Sequence, residues 1–353
     1  MRTMTALALA ALAALASCGH DHGKDDCCSP AAGGKDACCQ TTPAQQVVEK
    51  SFLKPADSRT FAIEYVGKVP EVPAGTKKLR VWLPVPQDST VQSIKDLSFS
   101  KDVKFSTEPK YGNKIAYFEI DNPGAAAEIS MKFACTRLEI GTDLDALKSE
   151  GKDDADSFGV FRKPDTLVLV DDKIKKMSDD VVKGKTGTVE KARAIYDYVV
   201  GKMTYDKNHQ GWGRGSTQHA CDVGKGNCTD FHALFNSLCR AQGIASGFEI
   251  GLYLPYDRKS DEKLGGYHCW ALFRVPGKTW VPVDCSEAMR LAPRREFFFG
   301  GHTSNRVTLS TGRDITLEPK QAGEPLNYFL NPYAEADGKS LKTDKSWSFK
   351  DLD

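Results

Sequence analysis

The sequence predicts an α+β protein in which an N-terminal antiparallel β-sandwich precedes a domain built from a cysteine-bearing helix packed on an antiparallel sheet. Three observations carry this. Short alternating runs separated by Pro, Gly, Asn and Asp fill residues 56–141. Helical periodicity replaces alternation from Asp172 onward. A helix opening at Cys228 is then followed by two apolar runs around Pro276-Gly277, the pattern of a hairpin.

With 353 residues, 40% of them hydrophobic, the chain is long enough for two domains with a sizeable core. Its 48 basic and 47 acidic side chains leave a formal net charge of +1, which gives no field to hold a polyanion and argues against general nucleic-acid binding. Eleven cysteines exceed ordinary usage but fall short of a disulfide scaffold.

Arg2 precedes an apolar run, Met4 to Ala16, shorter than the roughly 20 residues a transmembrane helix needs. Residues 1–17 therefore read as a signal peptide. Leu15-Ala16-Ser17-Cys18 resembles the lipobox of bacterial lipoproteins, which implies cleavage before Cys18 and a lipid on its new N-terminus. Secretion without lipid is the alternative. The expectation is an exported protein held to a membrane of the bacterial cell envelope by this anchor. Residues 18–55, with His20, His22, Cys27-Cys28 and Cys38-Cys39 but no apolar period, read as a disordered tether. Its thiols and imidazoles are capable of capturing Zn or Cu, yet neighbouring cysteines differ from the C-x-x-C spacing of zinc sites, and a stalk whose thiols oxidise among themselves is the preferred reading.

Four runs define the sandwich at residues 56–141: Phe61–Val66, Leu79–Leu83, Lys114–Ile120 and Ile129–Phe133. Cys135, at the end of the last, is read as a buried small hydrophobe. Packing helices follow over Asp172–Val182 and Thr188–Met203, the second carrying Ala192, Ile195, Tyr196 and Val199 on one face. Between Tyr205 and Gly215 the glycines are too many for a helix, and such irregular segments inside a compact domain tend to be functional.

From Gly226 to Ile244, Phe231, Leu234, Phe235 and Leu238 form an apolar stripe, and Gly243 sits where a left-handed cap ends a helix. Cys228 thus opens a buried helix, where unpaired N–H groups and the macrodipole favour thiolate over thiol, and its own N–H is free to hold an oxyanion. Cys239, about three turns on, is core. His232, one turn after Cys228, is read as a structural histidine rather than the base.

A strand at Phe248–Leu254 and a loop ending at Gly266, with Asp257–Lys263 as a mobile rim, lead into His268–Val275 and Thr279–Asp284. If Arg274 lies opposite Lys278, with a bulge at Gly277, then His268 lies opposite Asp284 on one face, and the carboxylate can orient the imidazole. The same register leaves Cys269 and Cys285 diagonal, which disfavours a disulfide between them.

Gly226-Asn-Cys-Thr-Asp-Phe-His, Arg240-Ala-Gln-Gly-Ile, Tyr267-His-Cys-Trp and Trp280-Val-Pro-Val-Asp together resemble the core of the transglutaminase-like superfamily, a papain-related group with a Cys-His-Asp triad. The resemblance is strongest over residues 165–300. The β-domain and the tail, with Phe299-Gly-Gly301, Asn305-Arg306 and Gly312-Arg-Asp314, are more weakly similar to a bacterial extracytoplasmic subgroup. It implies a transglutaminase-like catalytic domain at 142–300 with a C-terminal β extension at 301–353. Cys228 would be the nucleophile, His268 the base and Asp284 the orienter. The second oxyanion donor varies in the superfamily; Trp212, Gln218 and His219 are candidates, with Trp212 preferred because an indole N–H donates without titrating. Without an acidic loop of the D-x-D-x-D-G type, no metal or other cofactor is expected.

What the resemblance implies is acyl transfer through a thioester on Cys228, with a protein or peptide substrate. Hydrolysis of peptide or amide bonds leads, since productive cross-linking needs an amine site from which water is excluded. Glutamine γ-glutamyl transfer is the alternative. A non-catalytic binding lipoprotein and a metal-handling tether are readings of other classes, against which the intact Cys228, His268 and Asp284 argue.

Overall fold

The computed structural model describes residues 48–154 and 157–352. The expected signal peptide, Cys18 and most of the expected tether lie outside them. Strand structure reaches past the expected boundary at residue 56: β1 spans Leu53–Val69 and pairs Leu53 with Thr142, and the Glu49 N–H donates to Thr279 Oγ1 at 2.7 Å. The cause is a short apolar group, Val48, Phe52 and Leu53, packed into the core and hidden in the polar average of its surroundings.

Period-two alternation builds the sandwich. After β1 come β2 (Lys78–Val85), β3 (Gln92–Phe99), β4 (Lys104–Thr107), β5 (Lys114–Asp121) and β6 (Ala127–Thr142). Phe61, Ile63 and Tyr65 of β1 and Ile129, Met131, Phe133 and Cys135 of β6 turn inward to meet Leu79, Val81 and Leu83 of β2. Each such fully buried side chain contributes about 1.5–3 kcal/mol relative to exposure. Cys135 is buried, as expected, and its thiol is pushed up to about 12 by that burial. The edge strands β3 and β4 escape the sequence pattern because most of their side chains remain at least partly exposed.

The helical layer matches its expected bounds closely. α1 (Asp172–Val181) starts where the Asp171 carboxylate accepts the Ile174 N–H at 2.8 Å, and α2 (Thr188–Lys202) buries the predicted face. A short parallel pair, β7 (Thr204–Tyr205) and β8 (Lys225–Gly226), brackets α3 (Thr217–Val223). α4 (Cys228–Ala241) lies among the other helices with almost every residue buried, and Gly243 follows it at φ +71°.

Beneath α4 lies an antiparallel sheet. The remaining elements are β9 (Ser246–Tyr253), β10 (Ser260–Leu264), β11 (His268–Arg274), β12 (Trp280–Val283), α5 (Cys285–Arg290), β13 (Arg306–Thr311), β14 (Tyr333–Ala336), β15 (Lys339–Ser340) and β16 (Asp344–Asp351). The sheet runs β12-β11-β9-β13, and Phe231, Leu234, Phe235 and Leu238 of α4 pack with Ala271, Phe273, Val281 and Val283.

Residues 301–353, expected as a C-terminal β extension, supply strands to three sheets. β13 completes the sheet under α4, β14 and β15 extend the sandwich beside β2, and β16 pairs with β1. The expected mobile rim at Asp257–Lys263 likewise contains most of β10, which pairs with β16. Partners as distant as Phe61 and Asp351 leave no trace in any local pattern.

Candidate active site

The start of α4 is fixed by a capping box. Asn227 Oδ1 accepts the Thr229 N–H at 3.0 Å, while the Asp230 carboxylate reaches back to the Asn227 N–H at 3.0 Å. The Asp230 carboxylate also accepts the N–H groups of Gly213 at 2.7 Å and Gly215 at 2.9 Å, tying the Gly-rich segment down over the helix N-terminus. A Cβ at Gly226 would lie 2.3 Å from an Asp230 oxygen, so only glycine fits there. The Gly-Asn-Cys-Thr-Asp run is thus a device for presenting Cys228 at the first turn of a buried helix.

The hairpin carries His268 and Asp284 in a register two residues from the expected one. Arg274 faces Trp280, and Ala271 faces Val283. The turn is the reason: the Lys278 N–H donates to the Val275 C=O at 3.1 Å, with Pro276 and Gly277 between them and Gly277 at φ +65°, and Thr279 then pairs with Val275. A shift of two keeps side-chain parity. His268 and Asp284 therefore remain on one side of the hairpin, and Asp284, now the N-cap of α5, meets the imidazole at its Nε2 over 2.7 Å.

The His268 ring also hydrogen-bonds the Cys228 sulfur, which closes the chain Cys228–His268–Asp284. Burial by itself would raise the Cys228 pKa, but hydrogen bonds from the Cys269 thiol and the His268 ring, with the imidazolium charge, bring it down to about 5. Burial would lower His268, and the charge and hydrogen bond of Asp284, then Cys228, overcome it and raise the imidazole to about 10. Asp284 is held well below the carboxylate range by the His268 and Arg306 charges against its complete burial. Both shifts favour the thiolate–imidazolium form of the pair.

His232 does not serve Cys228. Its Nε2 accepts the Cys285 N–H at 3.1 Å, so the neutral ring carries its proton on Nδ1, and burial lowers it to about 4. Cys239 is core, its thiol pushed up by burial. Cys269 and Cys285 are free thiols, as are the other four described cysteines. Gln218 is bonded to Asp222 at 2.8 Å, and His219 Nε2 lies 2.9 Å from His209 Nε2. Trp212 is 37% exposed under the Lys207 ammonium, on a loop whose next residue, Gly213, sits against Asn227. Its indole N–H donates to no group among the described residues.

Two residues escape the sequence reading of the site. Asp230 lies two positions beyond Cys228 and reads as an ordinary helix-start carboxylate; its three backbone donors emerge only in space. Arg306 appears in the sequence only as part of a weakly similar tail. It is fully buried, donates from Nη1 to Asp284 Oδ2 at 3.1 Å and stacks 4.8 Å from the Trp270 ring. Ser286 Oγ and the Glu287 N–H donate to Asp284 Oδ1, so both oxygens are fixed. Among the described residues no three His, Cys, Asp or Glu side chains converge as a metal site requires. A cavity of about 100 Å³ lined by Arg137, Glu249 and His302 lies apart from Cys228.

A helix-borne thiol facing an imidazole and a carboxylate carried by a hairpin is the arrangement of the papain-related thiol enzymes. Residues 175–285 match the transglutaminase-like superfamily, so this part of the chain is a transglutaminase-like core. An uncharacterized protein of Haemophilus influenzae is 27% identical over 319 residues, spanning 79% of this chain and 86% of its own length. The crystal structure of a candidate cysteine protease from Cytophaga hutchinsonii has the same fold, with a TM-score of 0.57 at 16% identity over 85% of this chain and 93% of that one. The periplasmic domain of TgpA from Pseudomonas aeruginosa aligns at 13% identity over 65% of this chain and 77% of that one, with a TM-score of 0.35 too low to carry an argument.

Proposed function

We propose that this chain is a thiol acyl-transfer enzyme that hydrolyses peptide or amide bonds in the bacterial cell envelope, anchored by a lipid on Cys18. The observation that supports it is the continuous contact from the Cys228 sulfur through the His268 imidazole to the Asp284 carboxylate. The thiolate attacks a carbonyl carbon, and the oxyanion is held by the Cys228 N–H at the first turn of α4 and by the Trp212 indole N–H. His268 gives its proton to the leaving amine as the C–N bond breaks, leaving a thioester. The neutral imidazole then takes a proton from water, whose hydroxide displaces Cys228 and releases the acid.

Hydrolysis is preferred over amine transfer because water is always present outside the cell, while no residue pattern marks an amine site. The test exposes a peptide library to the protein together with a fluorescent primary amine. New peptide termini that vanish in Cys228→Ser support the hydrolase; Cys228-dependent amine incorporation without new termini makes it a transglutaminase, and neither product removes the enzyme reading.

A further inference from the structure

Cys228 has a second sulfur beside it. The Cys269 thiol and the Cys269 N–H, both on β11, hydrogen-bond the Cys228 sulfur in the first turn of α4, and the two residues share one hydrophobic core. His232 packs behind Cys269: its Nε2 accepts the Cys285 N–H at 3.1 Å, and its Nδ1 lies 3.6 Å from Cys269 Sγ while also meeting the Cys228 backbone. Cys269 keeps its proton beside the Cys228 charge and donates it to that sulfur. Acyl transfer as described above has no step for this thiol, and both cysteines are unpaired in the structure.

We propose that Cys269 is the resolving thiol of a peroxide-sensitive switch, trapping oxidised Cys228 as a reversible Cys228–Cys269 disulfide. In the first step the Cys228 thiolate attacks a hydroperoxide: the O–O bond breaks, sulfur is oxidised to the sulfenic acid, and the alkoxide or hydroxide leaves with the proton of the His268 imidazolium. In the second, the Cys269 sulfur attacks the sulfenic sulfur, an S–S bond forms, and the departing hydroxide takes the Cys269 proton and leaves as water. An external dithiol, itself oxidised, returns both thiols. The thiolate state of Cys228 makes it the cysteine that oxidises first, whereas Cys269, whose thiol burial and the neighbouring Cys228 charge keep protonated, is inert until the sulfenic acid forms beside it. The consequence is protection: a nucleophile that would proceed irreversibly to the sulfinic acid is held in a state that reductant recovers.

The experiment uses the reduced full-length protein treated with a molar excess of hydrogen peroxide over total thiol, capped with N-ethylmaleimide and digested for peptide mass spectrometry, so that the tether cysteines are followed separately. The expected result is a linked pair of peptides containing Cys228 and Cys269, with loss of Cys228 alkylation that dithiothreitol restores in full. In Cys269→Ser, Cys228 should instead reach the sulfinic acid and stay unreactive after dithiothreitol. Should that variant not fold, the wild-type linkage map decides alone. Wild-type Cys228 converted to sulfinic acid while Cys269 remains a free thiol, or linked to another cysteine, overturns the switch. The linkage map needs no substrate, so it is separable from the proposed hydrolase: a Cys228 that iodoacetamide alkylates readily but that never joins Cys269 removes only the switch.

Discussion

His268 and Asp284 are hydrogen-bonded at 2.7 Å without being cross-strand partners. The hairpin ends its pairing at Ala271 and Val283, and the chain turns into α5, whose Glu287 N–H and Ser286 hydroxyl, with Arg306, aim the Asp284 carboxylate at the imidazole. Orientation of the His268 ring therefore depends on the α5 cap and on one buried cation more than on strand register.

Removing the carboxylate should act on two quantities at once. Asp284→Asn is expected to lower turnover of p-nitrophenyl acetate by about 10²- to 10⁴-fold, less than loss of Cys228. Asp284→Ala should in addition destabilise the fold by about 3–5 kcal/mol, since Arg306 is left buried without its partner. Urea unfolding separates the two effects; an Asp284→Ala protein of wild-type stability would show that Arg306 does not rely on this carboxylate.

Arg306 positions Asp284. Its charge helps to depress the Asp284 pKa, and a carboxylate depressed in the folded state contributes stability that is present above its unfolded pKa and lost as pH falls through the folded one. Arg306→Met raises the folded pKa and so shrinks that contribution. The acid-unfolding midpoint, followed by circular dichroism, should move to higher pH, and an unchanged midpoint would contradict the linkage.

For Trp212 the informative comparison is between two reactions of the same sulfur. Acylation by p-nitrophenyl acetate builds an oxyanion and alkylation by iodoacetamide does not. Trp212→Phe should slow the first by about 10²-fold and leave the second near wild type. Equal effects on both, or on neither, would remove the indole from the oxyanion site.

His232→Gln should keep Cys228 reactive at low pH while lowering stability by about 1–3 kcal/mol, because what is lost is a buried hydrogen bond to the Cys285 N–H. A folded His232→Gln protein whose Cys228 has become unreactive would mean that the wrong histidine is assigned as the base.

Much of this architecture is written locally. The Gly226–Asp230 run specifies a capped, cysteine-first helix, and the alternation in β1, β2, β5 and β6 specifies a sandwich. The hairpin shows where legibility stops: Pro276-Gly277 signals a turn, but whether Lys278 or Trp280 faces Arg274 depends on backbone geometry that the residues alone leave open, and parity alone survived the difference. Long-range partners are harder still. β16 belongs beside β1, and Asp257–Lys263 is largely strand because an edge of β16 stands ready to pair with it. Arg306 and Asp230 act through groups that only the fold brings together, so neither carries a sequence signal of its role.

The most direct test is the pH dependence of Cys228 alkylation by iodoacetamide, followed by peptide mass spectrometry in wild type and His268→Ala. A thiolate–imidazolium pair should keep Cys228 reactive from alkaline pH down to about pH 5, where protonation of the sulfur ends it, while an ordinary thiol fades below its pKa of roughly 8.5. His268→Ala should abolish the low-pH reactivity, since burial then pushes the thiol upward unopposed by the imidazolium. A wild-type Cys228 that titrates like a free thiol, or a profile unchanged by His268→Ala, would contradict the nucleophile–base pair on which the account rests.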